Sequence, residues 1–516
     1  MTSWDVVVVG AGNAALCAAL SARENGARVL VLERAPQTER GGNTAYTAGA
    51  MRFVYEGIDD VLQLVPELSE QDRAMTDFGA YPAAQFFDDM DRVTQSRSDP
   101  DLVELLVHRS FPTLRWMRSK GVRFALSYGR QAYKFEGKFT FWGGLAVEVN
   151  GGGLGLIEAL TQACHRDGIP IRYNSRAVSL IREGVKIVGV RVRSGGETEE
   201  IRAGAVVLAC GGFQSDAEWR ARYLGPNWDL AKVRGTRFNS GDGIKMALAA
   251  DAVPWGHWSG CHAVSWEMNA PAFGDLTVGD SFQKHSYPFG IVVNADGKRF
   301  LDEGADFRNY TYAKYGHIVL DQPGQFAWQV FDAKVLHLLR DEYRIRRVTK
   351  VKADSLEELA RKLEGVDAEA FLATVAEYNA SIDQGIKFNP NIKDGRTTRD
   401  LAVRKSNWAN TLDQPPFEAY AVTCGITFTF GGLRIDTSSQ VIDSDGVPIP
   451  GLYACGELVG GIFYFNYPGG TGLTSGAVFG HIAGASAAAS AGAVPAPAAD
   501  PEQDSQTRPE LSSEAR

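Results

Sequence analysis

The first forty residues alternate between short apolar runs and polar breaks. Val6–Val9 is an unbroken apolar run of strand length, 14–24 repeats apolar positions at helical spacing, and 28–32 is a second strand-like run. Such runs predict strands buried on both faces, and the 3.6-residue period between them predicts a helix packed on the sheet. The same reading predicts a helical middle to about residue 125, including 101–120, and strands at 187–193 and 200–209. From 253 to 410 the character changes: Trp, Tyr and His accumulate, and helices are predicted at 356–363 and around 368–382. From Tyr420 the glycine-rich, strand-like pattern returns. After about Gly484, Ala, Ser, Pro and acidic residues dominate, a composition that buries too little apolar surface to offset its ordering entropy.

The expectation is an α/β fold in which one domain is split, 1–252 and 411–485, around an inserted domain at 253–410. A disordered tail is expected at 486–516. The 516 residues, 44% hydrophobic, give ample core for several domains, and no run is long and apolar enough to span a membrane. Met1–Asp5 lacks the basic start of an export signal. Cys17, Cys164, Cys210, Cys261, Cys424 and Cys455 are too scattered for iron–sulfur or structural zinc spacing, so no metal is expected. These features predict a cytoplasmic protein, reaching the inner face of a membrane only through a partner. A net charge of −9 argues against nucleic acid, and an anionic substrate would need a local arginine cluster.

Gly10-Ala11-Gly12-Asn13-Ala14-Ala15 sits between the first strand and the first helix. Gly10 permits a tight turn, Gly12 lets the backbone approach a pyrophosphate, and Ala15 keeps the helix close to the sheet. The helix N-terminus offers free N–H groups to the phosphates. Glu33 ends the second strand, where a carboxylate accepts hydrogen bonds from a ribose diol. Together these predict a dinucleotide site. Gly41, Gly42, Asn43 and Thr44 follow at once, small residues suited to a backbone passing close under a planar ring.

Two further segments lie at the far end, Gly451-Leu452-Tyr453-Ala454-Cys455-Gly456-Glu457 and Asn466-Tyr467-Pro468-Gly469-Gly470-Thr471-Gly472. With Leu208–Phe213, Ser240–Gly243 and Val293–Phe300, they make the chain resemble the flavoprotein subunits of the succinate dehydrogenase and fumarate reductase family. The resemblance runs from Asp5 to about Gly484. It implies a split FAD domain with an inserted capping domain and substrate held between cap and flavin. It adds Val178, Gly211, Asp242, Glu457, Gly472 and Leu473 to the cofactor-binding set, and Thr427, Tyr467, Gly469 and Gly470 to the substrate-binding set. Within the family, 297–316, 424–432 and 463–468 are most similar to the tricarballylate dehydrogenase branch.

Departures from the family pattern matter as much. Asn43 stands where covalent members carry a flavin-linked histidine, so FAD is expected to be bound non-covalently. Thr427 and Tyr467 stand where C4-dicarboxylate reductases place a substrate-binding His and Arg. The Glu and Arg that relay protons in those reductases are unmatched, in a region holding Gln283, His285 and Ser286. Arg308 falls where the family places its catalytic arginine. It would clamp a carboxylate bidentately or exchange a proton with the substrate, unless it merely pairs with Asp302, Glu303 or Asp306. Tyr310 and Tyr312 alternate as on a strand, making Tyr310 a candidate proton carrier. Of His257 and His262, His262 is the candidate catalytic or substrate-binding residue early in the cap, while Lys298 and Arg299 are expected to build a turn.

The expected reaction removes hydrogen from two neighbouring carbons of a small carboxylate, tricarballylate to cis-aconitate, with the proton going to Arg308 and Tyr310. Alternatives are desaturation of an uncharged ketone, as in ketosteroid dehydrogenases, fumarate-reductase-like enoate reduction, and a flavin-binding redox sensor. With no second nucleotide fingerprint, electrons are expected to leave to a separate protein, a quinone or oxygen. By resemblance the partner is a membrane-bound iron–sulfur protein.

Overall fold

The computed structural model describes residues 4–494. The opening apolar run forms the strand Trp4–Val9, the second forms Val29–Leu32, and the helix Asn13–Glu24 joins them. The strands pair in parallel, Val6 beside Val29 through Val9 beside Leu32, with every one of these side chains buried. A parallel strand pair needs cover on both faces. Part of that cover is the helix Asn13–Glu24, which packs along the C-terminal helix Thr471–Ser490. Gly480 and Gly484 permit this contact: a Cβ at either would meet the carbonyl oxygen of Ala14 or Ala18.

An eight-stranded sheet runs in the order Arg176–Glu183, Lys186–Ser194, Glu197–Leu208, Trp4–Val9, Val29–Leu32 and Ile171–Arg172, with Pro448–Ala454 and Gln440–Ile442 added beside Glu197–Leu208. Glu197–Leu208 changes partners along its length. Its first residues are antiparallel to Lys186–Ser194, and its last lie parallel to both Trp4–Val9 and Pro448–Ala454. The sheet is therefore assembled from both ends of the chain.

The long strand Phe417–Leu433 organises a six-stranded sheet. Its first part pairs with Ala327–Phe331 and Lys350–Ala353, its second part with Pro254–Glu267 and Lys232–Val233. Residues 417–433, expected in the second part of the split domain, thus lie in this other sheet, and the return to the first sheet comes with Gln440. A strand buried along most of its length carries no pattern that tells one sheet from another. Behind this sheet the helices Leu356–Lys362 and Ala368–Ser381 bury Leu359, Phe371, Val375 and Tyr378 against Trp328, Ala419 and Ala421.

Two expectations are corrected. Residues 486–490, expected in a disordered tail, are helical, because the C-terminal helix continues to Ser490 with Ala487 and Ala488 buried. Small residues are what a close helix–helix contact requires. Residues 495–516 of that tail lie outside the described residues. Tyr310 and Tyr312 do not alternate on a strand: Arg308–Tyr310 is a 3-10 turn, and the helix Tyr312–Leu320 follows. Among the described residues no helix is long and apolar enough to cross a membrane.

Candidate active site

Both ends of the chain meet along one groove. It starts at the turn after the first strand, where Gly10 has φ 112° and a Cβ would meet the Ala209 carbonyl oxygen. Gly12 precedes the first helix, and the Asn13 N–H donates to Thr44 Oγ1 at 3.2 Å. Glu33 is buried at the end of the second strand. Its Oε2 accepts from the Ala11 N–H at 2.8 Å and its Oε1 from the Ala35 N–H at 2.7 Å. Burial raises its pKa above the usual carboxylate range, opposed by the N–H groups of Ala35, Ala11 and Arg34. Gly211 and Asp242 line the opposite wall, with Asp242 held by Arg34 at 3.0 Å and by Arg176 at 2.7 Å. Ser175, Arg176 and Ala177 line the same groove, and a bulge next to them leaves Val178 outside the strand ladder.

Asn13, Ala14, Asn43, Thr44, Gly456 and Glu457 line both this groove and a deeper cavity, so the two are continuous. Asn43 pins the junction. Its Nδ2 donates to the Thr427 carbonyl at 2.5 Å, and its Oδ1 accepts from the Thr236 N–H at 3.1 Å. Glu457 accepts from the Thr429 N–H at 3.1 Å and from the side chains of Asn239 and Gln214 at 3.2 and 3.3 Å. Burial pushes its pKa up to about 7. The C-terminal helix opens on the cavity with Gly472 and Leu473, a partial positive charge that suits an anionic or electron-rich ring.

The cavity's far side is charged. Arg234 is fixed by Asp280, with Nε 3.1 Å from Oδ1, and its Nη1 donates to Thr427 Oγ1 at 3.2 Å. Asp280 Oδ2 also accepts from Arg130 Nη1 at 2.8 Å and from Gln283 Nε2 at 2.5 Å. Arg308 donates from Nη2 to the Arg130 carbonyl, and its Nη1 lies 3.3 Å from His285 Nδ1. A guanidinium has only donors, so Nδ1 accepts and the His285 proton sits on Nε2. Burial, then Arg308, Arg234, His262 and Arg130, hold His285 well below its usual pKa. His262 is likewise depressed by burial and then by Arg234, so both imidazoles are neutral. The His262 ring lies against Tyr312 and Tyr467, each 4.9 Å away between centroids, and the two phenols hydrogen-bond to each other. Three guanidiniums therefore gather on this side around Asp280, with Glu148 a second carboxylate 3.8 Å from Arg130.

A family model for the FAD binding domain matches residues 5–473. The chain belongs to this family. The probable fumarate reductase Ifc3 of Shewanella frigidimarina (strain NCIMB 400) is 29% identical, covering 93% of this chain and 74% of that protein. The 3-oxosteroid 1-dehydrogenase of Mycobacterium tuberculosis (strain ATCC 25618 / H37Rv) is 26% identical, covering 93% of this chain and 97% of its own. The open conformation of a flavocytochrome c3 fumarate reductase superposes with a TM-score of 0.70 at 28% identity, covering 95% of this chain and 78% of that one. The protein is an FAD-dependent oxidoreductase of the fumarate reductase and succinate dehydrogenase flavoprotein superfamily, whose relatives act on carbon–carbon bonds. The residues present fit FAD. A Cβ at Gly42, which lines the groove, would meet nothing, and the buried Thr429 hydroxyl beside the junction has no partner among the described residues. Glu33 would take the ribose diol, the N-terminus of the first helix the pyrophosphate, and the segment from Asn43 to Thr44 the ring system. Asn43 offers no nucleophile for a covalent link.

In this flavoprotein the sequence-derived residues divide unevenly. Gly10, Gly12, Asn13, Ala14, Glu33, Gly42, Asn43, Thr44, Gly211, Asp242 and Glu457 line the groove. His262, Arg308, Thr427, Tyr467, Gly469, Gly470, Gly472 and Leu473 line the cavity. Gly41 lies outside both linings, and a Cβ there would meet Ile157, while Ala15 is wholly buried on the first helix. Tyr310 is not part of the cavity. Its hydroxyl donates to Asp89 Oδ2 at 2.7 Å and accepts from Arg52 at 3.4 Å, while its carbonyl accepts from Asn466 Nδ2 at 2.6 Å. It positions the 466–470 loop, and Tyr312 takes the place by the cavity. His257 likewise lies outside the cavity lining, accepting from the Phe465 N–H at 3.0 Å. Arg308 has no carboxylate partner among the described residues. Asp306 pairs with Arg92 at 2.6 Å, Glu303 with Arg299 at 2.5 Å, and Asp302 accepts from Ser406. Arg130, Arg234 and Asp280 were missed, because no spacing connects three residues that only folding brings together.

Proposed function

We propose that this flavoprotein dehydrogenates a small polycarboxylate, forming a carbon–carbon double bond beside a carboxyl group, with tricarballylate to cis-aconitate as the specific reading. What carries the proposal is charge: Arg130, Arg234 and Arg308 line a cavity in which Asp280 pairs with the first two, Glu148 reaches Arg130 at 3.8 Å, and no acid pairs with Arg308 among the described residues. A cavity with surplus buried positive charge favours an anion. FAD, when bound, supplies the acceptor for two electrons and one hydrogen of the substrate. Arg308 takes the remaining proton or clamps the adjacent carboxylate, its orientation set by the Arg130 carbonyl and His285. The same groups run in reverse would reduce an enoate, as the fumarate reductase relative's name states for that protein.

Electrons would pass onward to a separate acceptor, a quinone or a protein, with a membrane-bound iron–sulfur partner favoured by the family likeness. That arrangement would hold a cytoplasmic enzyme at the inner face of the membrane. A second reading, desaturation of an uncharged ketone, draws on the Tyr312–Tyr467 phenol pair and the aromatic wall of Phe428, Phe430 and Phe463. Anaerobic bleaching of the bound flavin near roughly 450 nm, where the oxidised ring absorbs, separates the readings. Bleaching by tricarballylate but not by a 3-ketosteroid supports the polycarboxylate. Bleaching by the steroid alone overturns it, and bleaching by neither moves the protein toward a redox-sensor role.

A further inference from the structure

Position 467 holds a tyrosine, so a substrate with a second carboxylate finds no guanidinium there. The cavity holds one from a different element. Arg234 directly follows the short strand Lys232–Val233, which is paired in parallel with Gly425–Ile426, and its own N–H donates to the Ile426 carbonyl at 2.8 Å. The residue is 7% exposed and lines the cavity. One edge of the guanidinium is committed to Asp280, while Nη1 reaches Thr427 Oγ1 and keeps a further N–H. The pair it makes with Thr427 offers two converging donors once the hydroxyl turns outward. Asp280 is shared between Arg234 and Arg130, and Arg130 also has Glu148 at 3.8 Å, so Arg234 is left with a carboxylate it does not hold alone.

We propose that Arg234, with the Thr427 hydroxyl, binds the second carboxylate of the substrate and is the specificity-determining residue of this cavity, with Arg308 taking the carboxylate beside the reacting carbons. This rests on the polycarboxylate reading above. Burial first, and then Arg234, lower the His262 pKa, so the histidine stays neutral and leaves the anion to the guanidinium. Asp280 acts as a fixed counter-ion that keeps two buried arginines from repelling each other before substrate arrives. A monocarboxylate engages Arg308 alone and gains nothing from Arg234.

The test titrates tricarballylate, succinate and propionate calorimetrically against flavin-loaded enzyme reduced anaerobically beforehand, so that no oxidised flavin remains for the acids to bleach. Three variants are compared with wild type: Arg234→Met, Arg234→Lys, and Arg234→Met combined with Asp280→Asn. The double variant removes the buried aspartate that a lone Arg234→Met leaves under-paired. Losing a charge-assisted carboxylate contact of about 2–3 kcal/mol corresponds to roughly 30–150-fold weaker tricarballylate binding. Propionate binding should shift less than about threefold, and Arg234→Lys should fall between, keeping charge but not the fork. A tricarballylate-to-propionate ratio that survives in the folded, flavin-loaded variants overturns the assignment to Arg234. If wild type binds none of the three acids, the polycarboxylate reading itself fails and takes this inference with it.

Discussion

The cofactor groove and the substrate cavity share six residues yet are built differently. In the groove each carboxylate and amide is already satisfied: Glu33 by two backbone N–H groups, Asp242 by two arginines, Asn43 by backbone on both sides. In the cavity polar atoms are left over. Both nitrogens of His262, Nε of Arg308 and Oδ1 of Asn309, all on the cavity lining, are buried without a partner among the described residues, as is Nε2 of His285 behind Arg308. Leaving such groups unpaired costs about 1–3 kcal/mol each. The groove is thus a finished mould for one invariant ligand. The cavity keeps unmet donors and acceptors for a substrate that comes and goes, and relies on the surrounding fold to hold them.

Breaking the cavity side should have the largest effect. Arg308→Lys should keep full flavin content and lose about 10²–10⁴-fold in turnover, measured under saturating acceptor; retained turnover would remove Arg308 from the chemistry. Gly10→Ala attacks the groove. At φ 112°, with a Cβ directed at the Ala209 carbonyl oxygen, the turn must deform, and about 1–3 kcal/mol of strain corresponds to roughly 5–150-fold weaker FAD retention. The ratio of flavin to protein absorbance reads this, and unchanged flavin content would show that the turn is less rigid than the groove requires.

Glu457, at the junction, gives a smaller and pH-dependent effect. Its pKa is pushed by burial from 4.5 to about 7, so the folded protein favours the neutral acid. Its contribution to stability is complete below about 4.5 and is lost as pH rises through about 7, when the unfolded chain ionises first. Melting of flavin-stripped protein should therefore fall across that window in wild type and flatten in Glu457→Gln; parallel curves would disprove the burial argument. Tyr310→Phe should matter least to catalysis. Losing the phenol between Asp89 and Arg52 should cost about 1–2 kcal/mol of stability while turnover changes less than about threefold. A large loss of turnover would return Tyr310 to the catalytic set.

The groove was legible because its parts are local. Gly10, Gly12 and the first helix lie in one stretch, and Glu33 is set by the length of one strand–helix–strand unit. Gly41 carries a further constraint, since at φ 101° a Cβ there would meet Ile157. The cavity was legible only where the family pattern marked a position, as at Arg308, His262 and Tyr467. Tyr310 misled because alternation on paper implied a strand, whereas the chain turns there and starts a helix at Tyr312.

The sequence alone determined that two apolar runs flank a glycine turn, that a carboxylate ends the second run, and that position 43 offers no nucleophile to a flavin. Those features depend on neighbours within about one strand–helix–strand unit, where backbone geometry follows from residue order. Only the tertiary structure decided that Arg130, Arg234 and Arg308 share one wall with a single aspartate, and that Tyr312 stands beside the cavity while Tyr310 does not. The reason is physical: a charge cluster is a property of distance in space. The strand Phe417–Leu433 shows how such distances arise, since its pairing with Lys232–Val233 brings Arg234 to Thr427 from nearly two hundred residues away.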